Sequence, residues 1–193
     1  MIVGDGLEKR YGRKRALKGV SFSVPRAGFL LVTGPNGSGK TTLLRLVAGL
    51  AAATKGTLTI DAERGDLGYV AHEPLLYREL TALENLDLYG RLYRLPERRE
   101  RAGAMLERFG LWRARNERAG TFSRGMLQRL ALCRTFLHDP DLLLLDEPFD
   151  GLDAEGAELL HAELAERASV TALVATHDPE ALAARSTARL ALA

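Results

Sequence analysis

One stretch near the start of the chain, residues 34–42, constrains the fold more than any other. It reads Gly-Pro-Asn-Gly-Ser-Gly-Lys-Thr-Thr and fits the pattern G-x-x-x-x-G-K-[ST] of a phosphate-binding P-loop. The glycines let backbone N–H groups turn toward phosphate oxygens, Lys40 can reach the β and γ phosphates, and the Thr41 hydroxyl can ligate Mg²⁺. An apolar run at 29–32 precedes the stretch and helical spacing follows it, so the phosphate would lie at a helix N-terminus. The predicted phosphate-binding residues are Gly34, Pro35, Asn36, Gly37, Ser38, Gly39, Lys40, Thr41 and Thr42.

The composition limits the class of protein. With 193 residues, 46% of them hydrophobic and 27% charged, the chain suits one globular domain. Cys133 is the only cysteine in the sequence, which excludes an internal disulfide and fits a reducing compartment. No run approaches the ~18 consecutive apolar residues of a membrane span, and the first residues do not resemble a signal peptide. We therefore expect a soluble cytoplasmic protein that needs a partner for any role at a membrane.

Strand-like and helical runs alternate at both ends of the chain, around a mostly helical middle. Apolar, strand-like runs lie near Leu7 and at 20–24, 29–32, 57–60, 68–70, 142–145 and 171–175, and helical periodicity covers 80–109, 123–137 and 154–168. Parallel strands need crossover connections, so this alternation predicts an α/β fold with a parallel sheet wrapped by helices. The middle predicts a helical subdomain, at about 73–136, inserted into a single domain of residues 1–193.

One helix start in the middle has a recognisable signature. Thr81 and Glu84 fit the capping box, in which each side chain accepts a hydrogen bond from the backbone N–H of the other residue. Pro96 breaks the helical pattern, and Gly110 is suited to end a second helix over 98–109. The sequence therefore predicts two helices within 80–109.

Two carboxylates follow the apolar run at 142–145. In a parallel sheet the carboxyl ends of the strands open onto the ligand crevice, so Asp146 and Glu147 would face the phosphates. Asp146 is suited to coordinating Mg²⁺, and Glu147 to accepting a proton from an attacking water. A buried strand followed by an acidic turn is the alternative, and the P-loop in the same chain favours the functional interpretation.

A further helix start lies at 123–129, which reads Ser-Arg-Gly-Met-Leu-Gln-Arg. Ser123 can cap this helix, and Gly125 leaves the N–H groups of its first turn open, as in an anion site. Taken alone, the segment favours the simpler interpretation of a capped helix.

The order of these motifs changes that interpretation. The P-loop, the Ser-x-Gly helix start, Leu-Asp-Glu-Pro and finally Thr-His-Asp at 176–178 resemble the ATP-binding cassette (ABC) ATPase family over essentially the whole chain. The resemblance implies a P-loop NTPase core with a mostly parallel sheet, an N-terminal antiparallel β portion and an inserted α-helical subdomain. It also implies ATP, Mg²⁺ and a homodimer or pseudo-dimer, in which Ser123 and Gly125 of one copy bind the γ-phosphate held by the other. Arg124 and Met126 depart from the commonest form, Ser-Gly-Gly-Gln.

The same resemblance implies roles for four more residues. His177 matches the histidine that holds the γ-phosphate and the attacking water, although a lone histidine at a strand end is more often structural. Asp150 and Asp153 match the loop that crosses the dimer interface, and Asp153 also suits a helix cap. Tyr11 matches the aromatic residue that stacks on adenine, where a lone tyrosine in a loop usually only packs.

His72 stands where most of the family has glutamine, which contacts Mg²⁺ and water and passes the nucleotide state to the membrane subunits. The segment 69–74, Tyr-Val-Ala-His-Glu-Pro, followed by Leu-Thr-Ala-Leu-Glu-Asn-Leu at 80–86, resembles the ATP-binding subunit of the cytochrome c maturation haem exporter. We therefore expect a haem-exporter ATPase, or the ATPase of a drug, lipid or peptide exporter. Its partners would be integral membrane subunits, with the chain on the inner face of the cell membrane.

Two other classes share some of these features. A P-loop small-molecule kinase could use the segment 91–118, with nine arginines and four glutamates, to clamp phosphates. A DNA-associated ABC ATPase could use the same segment on nucleic acid, although a solvated surface is its simpler interpretation. About eighty residues separate the P-loop from Ser123, without a heptad run or a cysteine pair, so no nucleic-acid partner is expected. Because sixteen residues follow His177 in this sequence, we expect no appended regulatory domain.

Overall fold

The computed structural model of the chain describes residues 1–62 and 64–193, and these residues form two units. The first, here called the sheet unit, comprises Met1–His72, Asp141–Pro148 and Ser169–Ala193. The second, here called the helical unit, comprises Glu73–Pro140 and Phe149–Ala168. The chain therefore leaves the sheet unit twice and returns to it twice.

The sheet unit contains two sheets. Its antiparallel sheet has the order β2-β1-β4, with β1 at Ile2–Tyr11, β2 at Lys14–Val24 and β4 at Lys55–Ile60. Its parallel sheet has the order β5-β6-β7-β3-β8, with β3 at Phe29–Thr33, β5 at Leu67–Val70, β6 at Leu142–Asp146, β7 at Thr171–Ala175 and β8 at Ala188–Ala191. This arrangement confirms the predicted fold class. The sequence prediction missed β8, because Ala-Arg-Leu-Ala lacks the apolar run of a buried strand.

The core of the sheet unit explains why its central strands were recognisable. All five residues of β6 and of β7 are buried, as are four of the five in β3. Strands covered on both faces read as continuous apolar runs rather than as alternating ones. Helix α1, at Lys40–Val47, buries Leu43 and Leu44 in the same core as Leu30 and Leu144. The apolar core therefore fixes the strand ends that carry the polar residues of the site.

Four α-helices form the helical unit: α2 at Ala82–Leu92, α3 at Arg98–Arg108, α4 at Arg124–Phe136 and α5 at Ala154–Glu166. The capping box is confirmed, since Thr81 Oγ1 accepts from the Glu84 N–H at 3.1 Å and Glu84 Oε2 accepts from the Thr81 N–H at 2.8 Å. Gly110 follows α3 with φ of +70°, the left-handed conformation that glycine tolerates best. Within 1–62 and 64–193, no helix has the length and apolar character needed to cross a membrane.

Several arginines of the segment 91–118 bind carboxylates within the helical unit. Arg91 and Arg98 both pair with Asp87, at 2.9 and 2.7 Å. Arg108 pairs with the buried Glu163 at 2.8 Å. Part of the positive charge of the segment is therefore used to hold the helices of this unit together.

Candidate functional site

The P-loop connects β3 to α1 in a conformation that depends on glycine at two positions. Gly34 has φ of +145°, and a Cβ there would lie 2.4 Å from the Leu192 carbonyl oxygen. Gly39 has φ of +106°, and a Cβ there would lie 2.4 Å from the Ala16 carbonyl oxygen. Gly39 is also the N-cap of α1 and supplies no side-chain cap, so the N–H groups of the first helical turn remain available to an anion.

A pocket of about 410 Å³ lies beside this loop in the sheet unit. It brings together predicted site residues from four separate parts of the sequence. Its lining consists of Tyr11, Lys14, Ala16, Pro35, Asn36, Gly37, Gly39, Lys40, Thr41, Thr42, His72, Asp146 and Glu147. Lys14 and Ala16 were not predicted, because only their position on β2 brings them to the pocket.

Lys40 is the first residue of α1 and is only 7% exposed. Its Nζ donates to the Gly34 carbonyl oxygen at 2.8 Å, so the side chain reaches back across the loop. The same Nζ lies 3.6 Å from Glu147 Oε1. The ammonium group is therefore held above the loop, where a phosphate bound by the loop would meet it.

Asp146 ends β6 and is 2% exposed. Burial raises the pKa of this carboxyl, as does the neighbouring charge of Glu147, while a hydrogen bond with the Thr41 side chain lowers it. Its Oδ2 is buried, and among the described residues it has no hydrogen-bond partner; the same holds for Ser38 Oγ. Hydroxyl and carboxylate oxygens are the ligands that Mg²⁺ prefers. The residues present therefore fit a magnesium ion bound between Thr41 and Asp146.

Asp146→Asn is expected to stabilise the chain, measured without added ligand, by about 1 kcal/mol. Removing the charge relieves the cost of burying a carboxylate whose Oδ2 is unpartnered. The measurement is urea unfolding at neutral pH in a buffer without added Mg²⁺. Asp5→Asn, at an exposed position of β1, serves as the control and should leave the free energy of unfolding unchanged. A clear loss of stability in Asp146→Asn would show that the carboxylate is needed structurally.

Glu147 follows β6 in a strained backbone conformation, with φ of +49°. Its N–H donates to the Ala175 carbonyl oxygen at 2.9 Å, which ties the residue to the end of β7. Its Oε2 accepts from the His177 N–H at 3.1 Å and lies 2.8 Å from His177 Nδ1. The carboxylate therefore has a fixed direction, set by His177 on one side and by Lys40 on the other.

His177 is positioned by the turn that follows β7. The Thr176 hydroxyl accepts from the Asp178 N–H at 3.0 Å, which closes the turn around His177. The His177 side chain is 70% exposed and contacts Glu147. His177 is not among the residues that line the pocket, and it reaches the pocket through its contact with Glu147, which does line it.

Tyr11 and His72 lie at the rim of the pocket. Tyr11 is the last residue of β1. Its ring is 47% exposed, and Lys9 Nζ lies 5.0 Å from the ring centroid. His72 is exposed and is the last residue of the first segment of the sheet unit. The exposed tyrosine ring leaves an aromatic surface available to a flat base.

The other predicted site residues belong to the helical unit. Ser123 is the N-cap of α4, and its hydroxyl accepts from the Met126 N–H at 3.2 Å. Asp153 is the N-cap of α5 and accepts from the Gly156 N–H at 2.9 Å, as predicted for a helix cap. Of the remaining two, Gly125 lies in the first turn of α4 and Asp150 lies in the loop before α5.

Residues 17–150 match a family model described as ABC transporter. The uncharacterized ABC transporter ATP-binding protein YdbJ of Bacillus subtilis (strain 168) is 37% identical over 185 residues, which cover 90% of this chain and 60% of that protein. The daunorubicin resistance ATP-binding protein DrrA3 of Streptomyces coeruleorubidus is 40% identical over 166 residues, which cover 80% of this chain and 52% of that protein. The chain thus spans little more than half the length of these curated relatives.

A solved structure of an ATP-binding cassette has a similar fold. It is the dimeric structure of a post-hydrolysis state of an ATP-binding cassette bound to ADP and Pi, with a TM-score of 0.87 and 30% sequence identity. The match covers 100% of this chain and 94% of that chain. Since the family model also matches more than half of the sequence, this chain belongs to the ABC transporter family.

Proposed function

We propose that this chain is the ATP-hydrolysing subunit of an ABC exporter. The observation that carries the proposal is the pocket of the sheet unit, which places the P-loop, the buried Asp146 and the fixed carboxylate of Glu147 around one volume. Hydrolysis needs a phosphate site, a charge-compensating site and a base, and the pocket contains a candidate for each. The solved cassette that resembles this chain was bound to ADP and Pi, the products of such a reaction.

The phosphates would be bound by the backbone N–H groups of the P-loop and by the Lys40 ammonium. Thr41 and Asp146 would hold Mg²⁺, which neutralises negative charge on the β and γ phosphates when it is bound. Tyr11, with its exposed ring at the rim of the pocket, would stack on adenine. Each of these contacts uses a residue whose position is fixed by β1, β3, β6 or α1.

Glu147 would act as the general base. Its carboxylate accepts a proton from water as the water oxygen attacks the γ-phosphorus, and ADP leaves with the electrons of the broken phosphate bond. His177 would keep the carboxylate in place, through the contact of its Nδ1 and backbone N–H with Oε2. The tie to the Ala175 carbonyl holds the backbone of the base in its strained conformation.

The γ-phosphate site would be completed by a second copy of the chain. In the dimer, Ser123 and Gly125 of the second copy would present the open N–H groups of α4, while Asp150 and Asp153 would lie at the interface. Support comes from the dimeric state of the similar cassette and from the position of Ser123 at a helix N-terminus. ATP would then be the ligand that joins two copies.

The proposed exporter would carry a small-molecule cargo through integral membrane subunits that bind this chain. DrrA3 is named for daunorubicin resistance and YdbJ is uncharacterized, so DrrA3 supports a small-molecule cargo and neither relative supports haem. The prediction of a haem exporter rests on the residues around His72 alone. His72 lines the nucleotide pocket, which suits a residue that would pass the nucleotide state to membrane subunits at the inner face of the cell membrane.

The proposal predicts phosphate release from ATP without any acceptor other than water. Because two copies share each site, turnover per chain should rise with protein concentration and then level off. The measurement is inorganic phosphate release by the purified chain with ATP and Mg²⁺, over a hundredfold range of protein concentration. A small-molecule kinase would release almost no phosphate without its acceptor, and a turnover per chain that is independent of concentration would contradict the shared site.

A further inference from the structure

Within the helical unit, the start of α4 lies directly against the loop 149–153. A Cβ on Gly125 would lie 2.8 Å from the Gly151 carbonyl oxygen, and a Cβ on Gly151 would lie 2.9 Å from Arg124 Cγ. Gly151 also has φ of +79°, where an L side chain is strained. The helix start and the loop therefore lie so close that a Cβ at Gly125 or at Gly151 would collide with the other segment, and the Arg124 side chain lies across Gly151.

Arg124 adds an ion pair to this packing. Its Nη2 lies 2.5 Å from Asp150 Oδ2, although the Arg124 side chain remains 72% exposed. Arg124 is also one of the two residues that depart from the commonest Ser-Gly-Gly-Gln form. A glycine at this position could neither cover Gly151 nor neutralise Asp150.

A second ion pair joins α4 to the same part of the chain. Arg129 Nη2 lies 2.5 Å from Asp153 Oδ1 and 3.0 Å from Glu155 Oε2, and Arg129 is only 8% exposed. Arg124 and Arg129 are about one and a half helical turns apart. The buried Arg129 fixes α4 to the start of α5 through two exposed carboxylates, whereas the pair of Arg124 and Asp150 sets the position of the loop tip around Asp150.

We propose that Arg124 is a positioning residue for the ATP-dependent dimer, and that it acts through Asp150. The ion pair holds the loop 149–153 against the Ser123 turn, so that both reach a second copy of the chain as one surface. It also compensates the Asp150 carboxylate, which would otherwise repel the triphosphate held by that second copy. This inference rests on the proposed function, in which Ser123 meets the γ-phosphate and the loop crosses the interface.

The test is the dissociation constant of the ATP-bound dimer, measured by analytical ultracentrifugation in the Glu147→Gln background. Arg124→Ala is expected to weaken the dimer about fivefold, the upper end for an exposed ion pair. In the Asp150→Asn background, Arg124→Ala should raise the dissociation constant of the dimer less than about twofold, because the charge that Arg124 compensates is gone. Arg124→Lys should recover part of the loss, since it keeps the charge but not the fork of the guanidinium.

Arg101→Ala is the matched control. It removes an exposed arginine from α3 in the same unit and should leave the dimer constant unchanged. The affinity of each variant for ADP is measured in parallel and should also stay unchanged, because the sheet unit holds the nucleotide. A general loss of structure would lower the ADP-binding fraction, which separates misfolding from misplacement of the loop.

Two results would overturn the inference. If Arg124→Ala raised the dissociation constant of the dimer by the same factor with Asp150 intact and in the Asp150→Asn background, Arg124 would not act through Asp150. If Arg124→Ala left the dissociation constant of the dimer unchanged, the residue would have no positioning role. The proposed function would still stand. If the Glu147→Gln chain with Arg124 intact formed no dimer with ATP, the proposed function itself would fail.

Discussion

Glu147→Gln is expected to lower ATP turnover by at least about 100-fold, since general-base catalysis contributes ~10²- to 10⁴-fold. The amide keeps the shape of the side chain and can still accept from the His177 N–H, so ATP binding should persist. The variant should therefore accumulate as an ATP-bound dimer. Phosphate release measures the first effect, and size-exclusion chromatography with and without ATP measures the second.

Glu158→Gln is the matched control for this substitution. Glu158 is an exposed residue of α5, and the same loss of one carboxylate there should leave turnover and dimer formation unchanged. If Glu147→Gln lowered ATP turnover by less than tenfold, another group would have to accept the proton. His177 and Lys40 fix the direction of the Glu147 carboxylate. Another nearby group could therefore not easily take over its role as the base.

Lys40→Ala is expected to weaken ATP binding by about 100-fold, because a hydrogen bond to a charged group contributes ~1.5–3 kcal/mol. Lys40 is 7% exposed and already spans the loop to the Gly34 carbonyl, so little ordering is needed when phosphate binds. Turnover and the ATP-dependent dimer should both disappear at ATP concentrations that saturate the unsubstituted chain. Isothermal titration calorimetry with ATP and Mg²⁺ gives the affinity directly.

Lys55→Ala is the matched control, since Lys55 is an exposed residue of β4. Its ATP affinity should equal that of the unsubstituted chain. If Lys40→Ala bound ATP within threefold of that value, the ammonium group would have no part in phosphate binding. Together, the Lys40 and Glu147 substitutions separate binding from hydrolysis, because only the second should leave an ATP-bound dimer.

The predictability of this fold from sequence depends on how each strand is buried. β6 and β7 are buried along their whole length and were recognised as apolar runs. β1 and β2 were recognised only in part, near Leu7 and at 20–24, because their exposed and buried residues are mixed and their register shifts at several points. β8 was missed because its residues are mostly exposed.

The candidate site was predictable where polar residues directly follow a buried strand or open a helix. Asp146 and Glu147 were found in this way, and so was the P-loop. The contact between Arg124 and Asp150 was not, because 26 residues separate the two and only the packing of α4 on the loop 149–153 brings them together. Each residue's role in the reaction stays a prediction until the substitutions above are measured.

The unpartnered oxygens of Asp146 and Ser38 have a consequence for handling the protein. A ligand that offers partners to these buried oxygens would stabilise the folded chain, because a buried polar atom gains from a hydrogen bond. A ligand that binds only the folded chain raises its free energy of unfolding by about 2.7 kcal/mol at a hundredfold excess over its dissociation constant. Proteases that attack unfolded chains should therefore digest this protein fastest when nucleotide has been dialysed away, so storage with ATP analogues would prolong its working lifetime.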